Sequence, residues 1–236
     1  MNTIEYPPGL VINIALSELR LSGFKLIAFD MDSTLINIEC IDEIADAVGR
    51  KVEVAAITEA AMRGELTDFK DSLRQRVALL KGVSVASMEV VYRERLKLNP
   101  GAAELVRACK DAGLKVLLVS GGFTFFADRV QQTLGIDFVR ANVLEIENGV
   151  LTGRLVDQPW GDICDGEEKR RTLIETCRQL GFNPLQAIAM GDGANDLPMM
   201  GAAGLSVAYH AKPMVRTQAM VAINEGGLDR LLELMK

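Results

Sequence analysis

A single histidine, His210, stands in 236 residues, so no multi-histidine metal site is available. A serine-hydrolase triad would rest on that one ring. The four cysteines (Cys40, Cys109, Cys164, Cys177) lack CxxC spacing, and a chain of this length needs no cross-links to fold. They read as reduced thiols in a reducing compartment. There is no run of 18 uncharged apolar residues, which excludes an expected membrane span. Glu5 is present and no basic residue precedes Arg20, so no secretory signal is expected. Lys+Arg total 26 against 32 Asp+Glu, and a net charge of −6 argues against a phosphate-backbone-driven nucleic-acid binder. The expectation is a cytoplasmic protein with a small-molecule substrate, no nucleic acid and no membrane partner.

What is present is ordinary globular material, 49% hydrophobic and 25% charged, which excludes whole-chain disorder. Four short apolar runs end in Gly- or Asp-containing segments: Lys25–Phe29, Lys115–Val119, Ala187–Met190 and Gly204–Ala208. Helical patterns at 102–112, 125–134 and 167–180 lie before and between the later runs, and Gly113 caps the first. Strands alternating with helices predict a doubly wound α/β fold with a mainly parallel sheet and a ligand at the strands' carboxyl ends.

Two segments break the alternation. Residues 41–98 carry helical spacing (Ile41, Ile44, Ala45, Val48, then Phe69, Leu73, Val77, Leu80) and no good strand. They predict a helical cap inserted into a core made of residues 1–40 and 99–236. Around Asn148-Gly149, the stretch 141–156 predicts a β-hairpin flap.

The chemistry-bearing residues fall at strand ends. In Asp30-Met31-Asp32, residues i and i+2 of an extended segment share a side. Two ionised carboxylates about 4 Å apart repel by roughly 4 kcal/mol at an effective dielectric near 20, which calls for a cation or a shared proton. Alone, the pair also reads as capping aspartates in a solvated loop. Gly191-Asp192-Gly193-Ala194-Asn195-Asp196 adds two carboxylates and an amide, an oxygen-ligand set suited to magnesium; its plain alternative is a flexible turn. A dinucleotide loop is a weak reading, because Asp196 stands where the third glycine belongs. Ser120-Gly121-Gly122 offers a hydroxyl and glycine amides for a phosphate; Lys169 could hold a phosphate oxygen, but taken singly among Glu167, Glu168, Arg170 and Arg171 it reads more readily as a solvated surface lysine. Arg76 lies on an apolar helical face and needs an anionic partner, from protein or ligand. Glu39 is either a helix-start acid or, with Arg76, one of two opposite charges for an ammonium and a carboxylate. His210 reads as structural.

The ordered set FDMDST, LVSGG, Lys169 and GDGANDLPM resembles the haloacid dehalogenase superfamily of phosphotransferases over nearly the whole chain. More narrowly, DMDSTLINIEC and FKDSLRQRVALLKG resemble the phosphoserine phosphatases of serine biosynthesis, and the segment ANVLEIENGVLTG is similar to that family's small second cap. The resemblance implies a magnesium-dependent hydrolase acting on phosphoserine, as a monomer or homodimer. It implies Asp30 as nucleophile and Asp32 as general acid and base. Magnesium would be held by the side chains of Asp30 and Asp192 and the backbone carbonyl of Asp32, with Asn195 and Asp196 in support. Ser120 and Lys169 would bind the phosphoryl group, Glu39 the ammonium and Arg76 the carboxylate, with Phe69 and Gly121 lining the pocket. Met62 is carried over across a link that Thr67-Asp68 lengthens by one residue. Only 29 residues precede Asp30, so the N-terminal regulatory domain of some relatives is not expected. The alternatives are another phosphomonoester, transfer to an alcohol such as homoserine, a non-catalytic phosphometabolite binder and, most distantly, a nucleotide-dependent dehydrogenase.

Overall fold

The structure, a computed structural model, describes residues 4–6, 8–13, 19–62 and 68–235. A hairpin of β1 (Ile4–Tyr6) and β2 (Leu10–Ile12) precedes β3 (Leu26–Phe29). Four helices follow: α1 (Cys40–Ala47), α2 (Lys51–Met62), α3 (Phe69–Leu79) and α4 (Val85–Val90). Next come α5 (Ala102–Asp111), β4 (Lys115–Phe123), α6 (Thr124–Leu134), β5 (Phe138–Glu147) and β6 (Val150–Val156). The chain then runs through α7 (Gly166–Leu180), β7 (Ala187–Gly191), α8 (Leu197–Ala202), β8 (Leu205–Tyr209), α9 (Pro213–Gln218) and β9 (Val221–Ile223).

These strands form one sheet in the order β1-β2-β9-β8-β7-β3-β4-β5-β6. From β9 to β5 every pairing is parallel, and the two edges turn antiparallel. Side chains alternate faces along each strand. Ile27, Phe29, Val116 and Leu118 therefore join one core with α5 and α6. Leu26, Ala28, Leu117 and Val119 join the other, with Leu173 and Cys177 of α7 and Met199 and Met200 of α8. This is the predicted doubly wound α/β architecture, with both faces of the sheet covered.

Local chemistry sets the element ends. Gly113 sits at φ +85° just past α5, where an L side chain would be strained. The Asp165 side chain accepts the Glu168 N–H at 2.9 Å to start α7. Asn148 and Gly149 both have positive φ (51° and 77°), as the two-residue turn joining β5 to β6 requires.

Among the described residues of 41–98 there are helices and no strand. Ile41 and Ile44 of α1 and Leu73 and Val77 of α3 are buried in the same cluster as Phe29 and Leu118. The helical segment thus shares the core on that face of the sheet. Lys70 Nζ donates to Asp162 Oδ1 at 2.7 Å and Arg74 Nη2 to Asp162 Oδ2 at 2.6 Å, tying α3 to the segment before α7. Among the described residues no helix is long and apolar enough to cross a membrane.

Candidate active site

Because β3, β4 and β7 run parallel side by side, Asp30, Ser120 and Asp192 reach the same sheet edge. Asp30 leaves β3 still extended, and its N–H donates to the Met190 carbonyl at 2.9 Å. The chain then turns at Ser33, whose φ is +58°. Asp32, past the end of β3 and just before that turn, keeps an extended backbone (φ −65°, ψ 133°), and both carboxylates line one cleft. Ser33 Oγ donates to Glu39 Oε1 at 2.6 Å, which holds Glu39, the residue just before α1, at the cleft.

After β7, the glycines permit the close approach their positions need. A Cβ on Gly191 would meet Asp196 Cγ at 2.4 Å, and one on Gly193 would meet Asn195 Oδ1 at 2.4 Å. Asp196 is fully buried; its Oδ2 accepts the N–H groups of Asp192 and Gly193 at 3.1 and 3.0 Å. Thr34 Oγ1 donates to Asp192 Oδ1 at 3.3 Å. Oxygens of Asp30, Asp192 and Asp196 all lie within 4.8 Å of one another.

Lys169 settles between them. It is 0% exposed, and its Nζ donates to Asp30 Oδ1 at 2.5 Å and to Asp196 Oδ1 at 2.7 Å. The surface-lysine reading is therefore overturned: its helix face, with Thr172, Leu173 and Cys177, packs inward while Arg170 and Arg171 face out. Burial alone would lower the Lys169 pKa, but the charges of Asp196 and Asp30 outweigh it and raise it.

One ammonium does not balance the carboxylates. Burial, then the Asp196 charge, pushes Asp30 well above the usual carboxylate range. Asp192 is pushed to about 7 by burial and by Asp196, and Asp32 to about 7 by burial and by Glu39. Desolvated like charges with all-oxygen ligands fit a hard divalent cation, which would hold them ionised.

The phosphate loop at the end of β4 is partly pre-engaged. Ser120 is fully buried and its Oγ accepts the Gly122 N–H at 2.8 Å. A Cβ on Gly121 would stand 3.2 Å from Phe69 Cζ, so Phe69 of α3 covers this loop. A cleft of about 420 Å³ is lined by Asp30, Asp32 and Asp192, by Phe69, Leu73 and Arg76, one stripe of α3, and by Glu39. Arg76 Nε donates to the Ser72 carbonyl at 3.4 Å; burial lowers the guanidinium's pKa against the opposing charges of Asp42 and Glu39. Asn195 also lines the cleft. Met62 ends α2, and its side chain, with residues 63–67, lies outside the described residues. His210 is apart from the cleft, with Nε2 2.9 Å from the Gly226 carbonyl.

The sequence reading passed over several cleft residues. Asp42, Thr58, Gly193 and Lys212 line it. Cys40, which by sequence is one reduced thiol among four, bonds both oxygens of Asp32. Its one sequence signal is its place directly after Glu39, at the first position of a helix aimed at the aspartate turn.

Residues 24–204 match the model of the haloacid dehalogenase-like hydrolases. A phosphoserine phosphatase of a Polaromonas species is 79% identical over 236 residues, covering 100% of both chains. Another from Albidiferax ferrireducens is 72% identical with the same coverage. A solved substrate-bound phosphoserine phosphatase complex has a TM-score of 0.82 and 38% identity, over 90% of this chain and 99% of its own. A phospho-aspartyl intermediate analogue of phosphoserine phosphatase gives the same values.

Proposed function

We propose that this chain, which belongs to the phosphoserine phosphatases of the haloacid dehalogenase-like hydrolase family, hydrolyses O-phospho-L-serine to L-serine and phosphate through an aspartyl-phosphate on Asp30. The observation that carries the reading is one cleft lined both by a lysine-bound Asp30 and by the opposite charges Glu39 and Arg76. A phosphate ester of an amino acid needs all three: a nucleophile, an anion for its ammonium and a cation for its carboxylate.

An oxygen of Asp30 attacks phosphorus while the bond to the seryl oxygen breaks, and Asp32 gives its proton to that oxygen. Burial beside Glu39 favours the protonated Asp32 this step requires. Water then attacks phosphorus, its proton passes to Asp32, and Asp30 leaves as the free carboxylate with phosphate released. Lys169, Ser120 and the glycine amides stabilise charge on the transferring oxygens. Asp196, held by the Asp192 and Gly193 amides, keeps Lys169 aimed at Asp30. The side chains of Asp30 and Asp192 and the Asp32 carbonyl would hold Mg2+. When bound, that ion neutralises charge between Asp30 and the phosphate. Phe69 closes over Gly121 and excludes water from the seryl side. Among the described residues all four cysteines are free and buried, which supports a reducing, cytoplasmic setting.

The test is magnesium-supported phosphate release from L-phosphoserine beside phosphothreonine, phosphohomoserine, a sugar phosphate and an aryl phosphate, with Asp30→Asn in parallel. A large phosphoserine preference that vanishes in Asp30→Asn is expected. Activity confined to the other esters would discard the amino-acid assignment and keep the chemistry. No activity on any ester would leave a binding protein.

A further inference from the structure

Asn142 of β5 is 1% exposed, and both halves of its amide are engaged. Its Nδ2 donates to the Gly121 carbonyl at 2.8 Å, and its Oδ1 accepts the Cys164 N–H at 2.8 Å. The two partners belong to different parts of the site. Gly121 is in the phosphate loop; Cys164 immediately precedes Asp165, the cap of the helix that carries Lys169.

The strand pairing explains why a side chain is needed there. β4 and β5 pair in regular register as far as Val119 opposite Arg140, and pairing resumes only at Phe123 opposite Asn142. On β4 three residues, Ser120 to Gly122, separate those partners, while on β5 only Ala141 does. The surplus residues leave the ladder, and the half-buried Gly121 carbonyl, without a ladder partner, needs another donor. Asn142 supplies it to Gly121. Its oxygen meanwhile satisfies an amide on the far side, so one short planar group spans from the loop to the start of α7.

We propose that Asn142 is a positioning residue that sets the separation between the Ser120–Gly122 loop and the start of α7, so that Ser120 and Lys169 converge on one phosphoryl group. This rests on the phosphate-ester reading of the site but not on serine as the leaving alcohol. No other side chain of this length carries both a neutral donor and an acceptor. Aspartate would keep the bond to Cys164 and set an oxygen against the Gly121 carbonyl. Leucine would fill similar volume and lose both bonds.

The experiment compares wild type, Asn142→Asp and Asn142→Leu as full chains, with rates counted per folded molecule from circular dichroism. Three quantities are read: kcat and KM on L-phosphoserine and on an aryl phosphate, inhibition by orthovanadate, and Tm. Loss of an orienting partner behind a reacting group costs about 10- to 100-fold. We expect kcat to fall by that factor on both esters in both variants, orthovanadate inhibition to weaken in parallel, and KM for phosphoserine to stay within about threefold. A purely structural residue would lower Tm and leave kcat and orthovanadate inhibition per folded molecule unchanged, and that result would overturn the proposal. So would an Asn142→Asp enzyme with wild-type kcat, because it lacks only the Gly121 bond. Wild type acting on the aryl ester alone would refute the serine assignment while the Asn142 comparison proceeds on that ester. Wild type indifferent to orthovanadate and to both esters would overturn both readings.

Discussion

Cys40 holds both oxygens of Asp32: its backbone N–H donates to Oδ2 at 3.0 Å and its thiol to Oδ1 at 3.2 Å. Asp32 is thereby fixed beside a turn whose backbone alone would leave its carboxyl free to rotate. Burial, and then the Asp32 charge, raises the Cys40 pKa, so the sulfur keeps its proton and remains a donor. A net hydrogen bond is worth about 1 kcal/mol, or about fivefold in rate. Cys40→Val should lower kcat by about that factor or more with little change in KM, while Cys40→Ser should stay near wild type. Steady-state kinetics on both variants checks this. A wild-type kcat in Cys40→Val would show that the thiol does not orient Asp32.

Arg76→Ala should separate recognition from chemistry. The guanidinium lines the cleft and bonds the Ser72 carbonyl, a group with no part in bond breaking. Loss of a charge-assisted contact to the substrate carboxylate, about 1.5–3 kcal/mol, should reduce kcat/KM on phosphoserine by about 10- to 100-fold. The aryl phosphate has no carboxylate and should lose far less. Equal losses on the two esters would remove Arg76 from substrate recognition.

Much of this arrangement is legible in the sequence for a simple reason. The runs at β3, β4, β7 and β8 are buried on both faces and so read as continuous apolar stretches, each found within a residue of its observed start. β4 runs on to Phe123 because Ser120–Gly122 stay extended after their apolar character ends. The three-residue strands β1, β2 and β9 are too short to show a period. Lys169 was ambiguous because its sequence neighbours are charged, and only its spacing to Leu173 and Cys177 points inward. Asn142 acts across contacts to residues more than twenty positions away, and Cys40 across a turn that separates it from Asp32 by eight. Asn142 gives just one hint, a lone amide in the otherwise apolar stretch 141–144.

Two glycine substitutions should have opposite effects on stability. A Cβ on Gly204 would stand 1.9 Å from the Leu185 carbonyl oxygen, a backbone atom with no room to yield. Gly204→Ala should destabilise by about 3 kcal/mol, the upper range for overpacking. At this chain length that lowers Tm by roughly 6–12 °C. Gly201 in α8 has nothing within 4 Å of such a Cβ. Gly201→Ala should therefore stabilise by about 0.4–1 kcal/mol through reduced unfolded-chain entropy. Thermal melts decide; a stable Gly204→Ala would contradict the close approach of β8 to the Leu185 turn.

Acid should expose the role of Asp137. Burial raises its pKa, but the Lys115 hydrogen bond at 2.9 Å, the Val116 N–H at 2.9 Å and nearby positive charge outweigh that and leave it lowered. A lowered folded-state pKa means that the stabilisation is present above the unfolded value, near 3.9, and is lost as pH falls through the folded value. Asp137→Asn should be less stable than wild type at pH 7, and the gap should close below about pH 4. Urea unfolding across pH checks this, and a gap that widens in acid would reverse the assignment.

Asp30 as the nucleophile is tested most directly by quenching the enzyme in acid during turnover of L-phosphoserine and sequencing the tryptic peptide 26–50 by mass spectrometry. One added phosphoryl group is expected, localised to Asp30 and absent from the Asp30→Asn protein. Phosphoserine turnover with no adduct on Asp30, or with turnover persisting in Asp30→Asn, would contradict it.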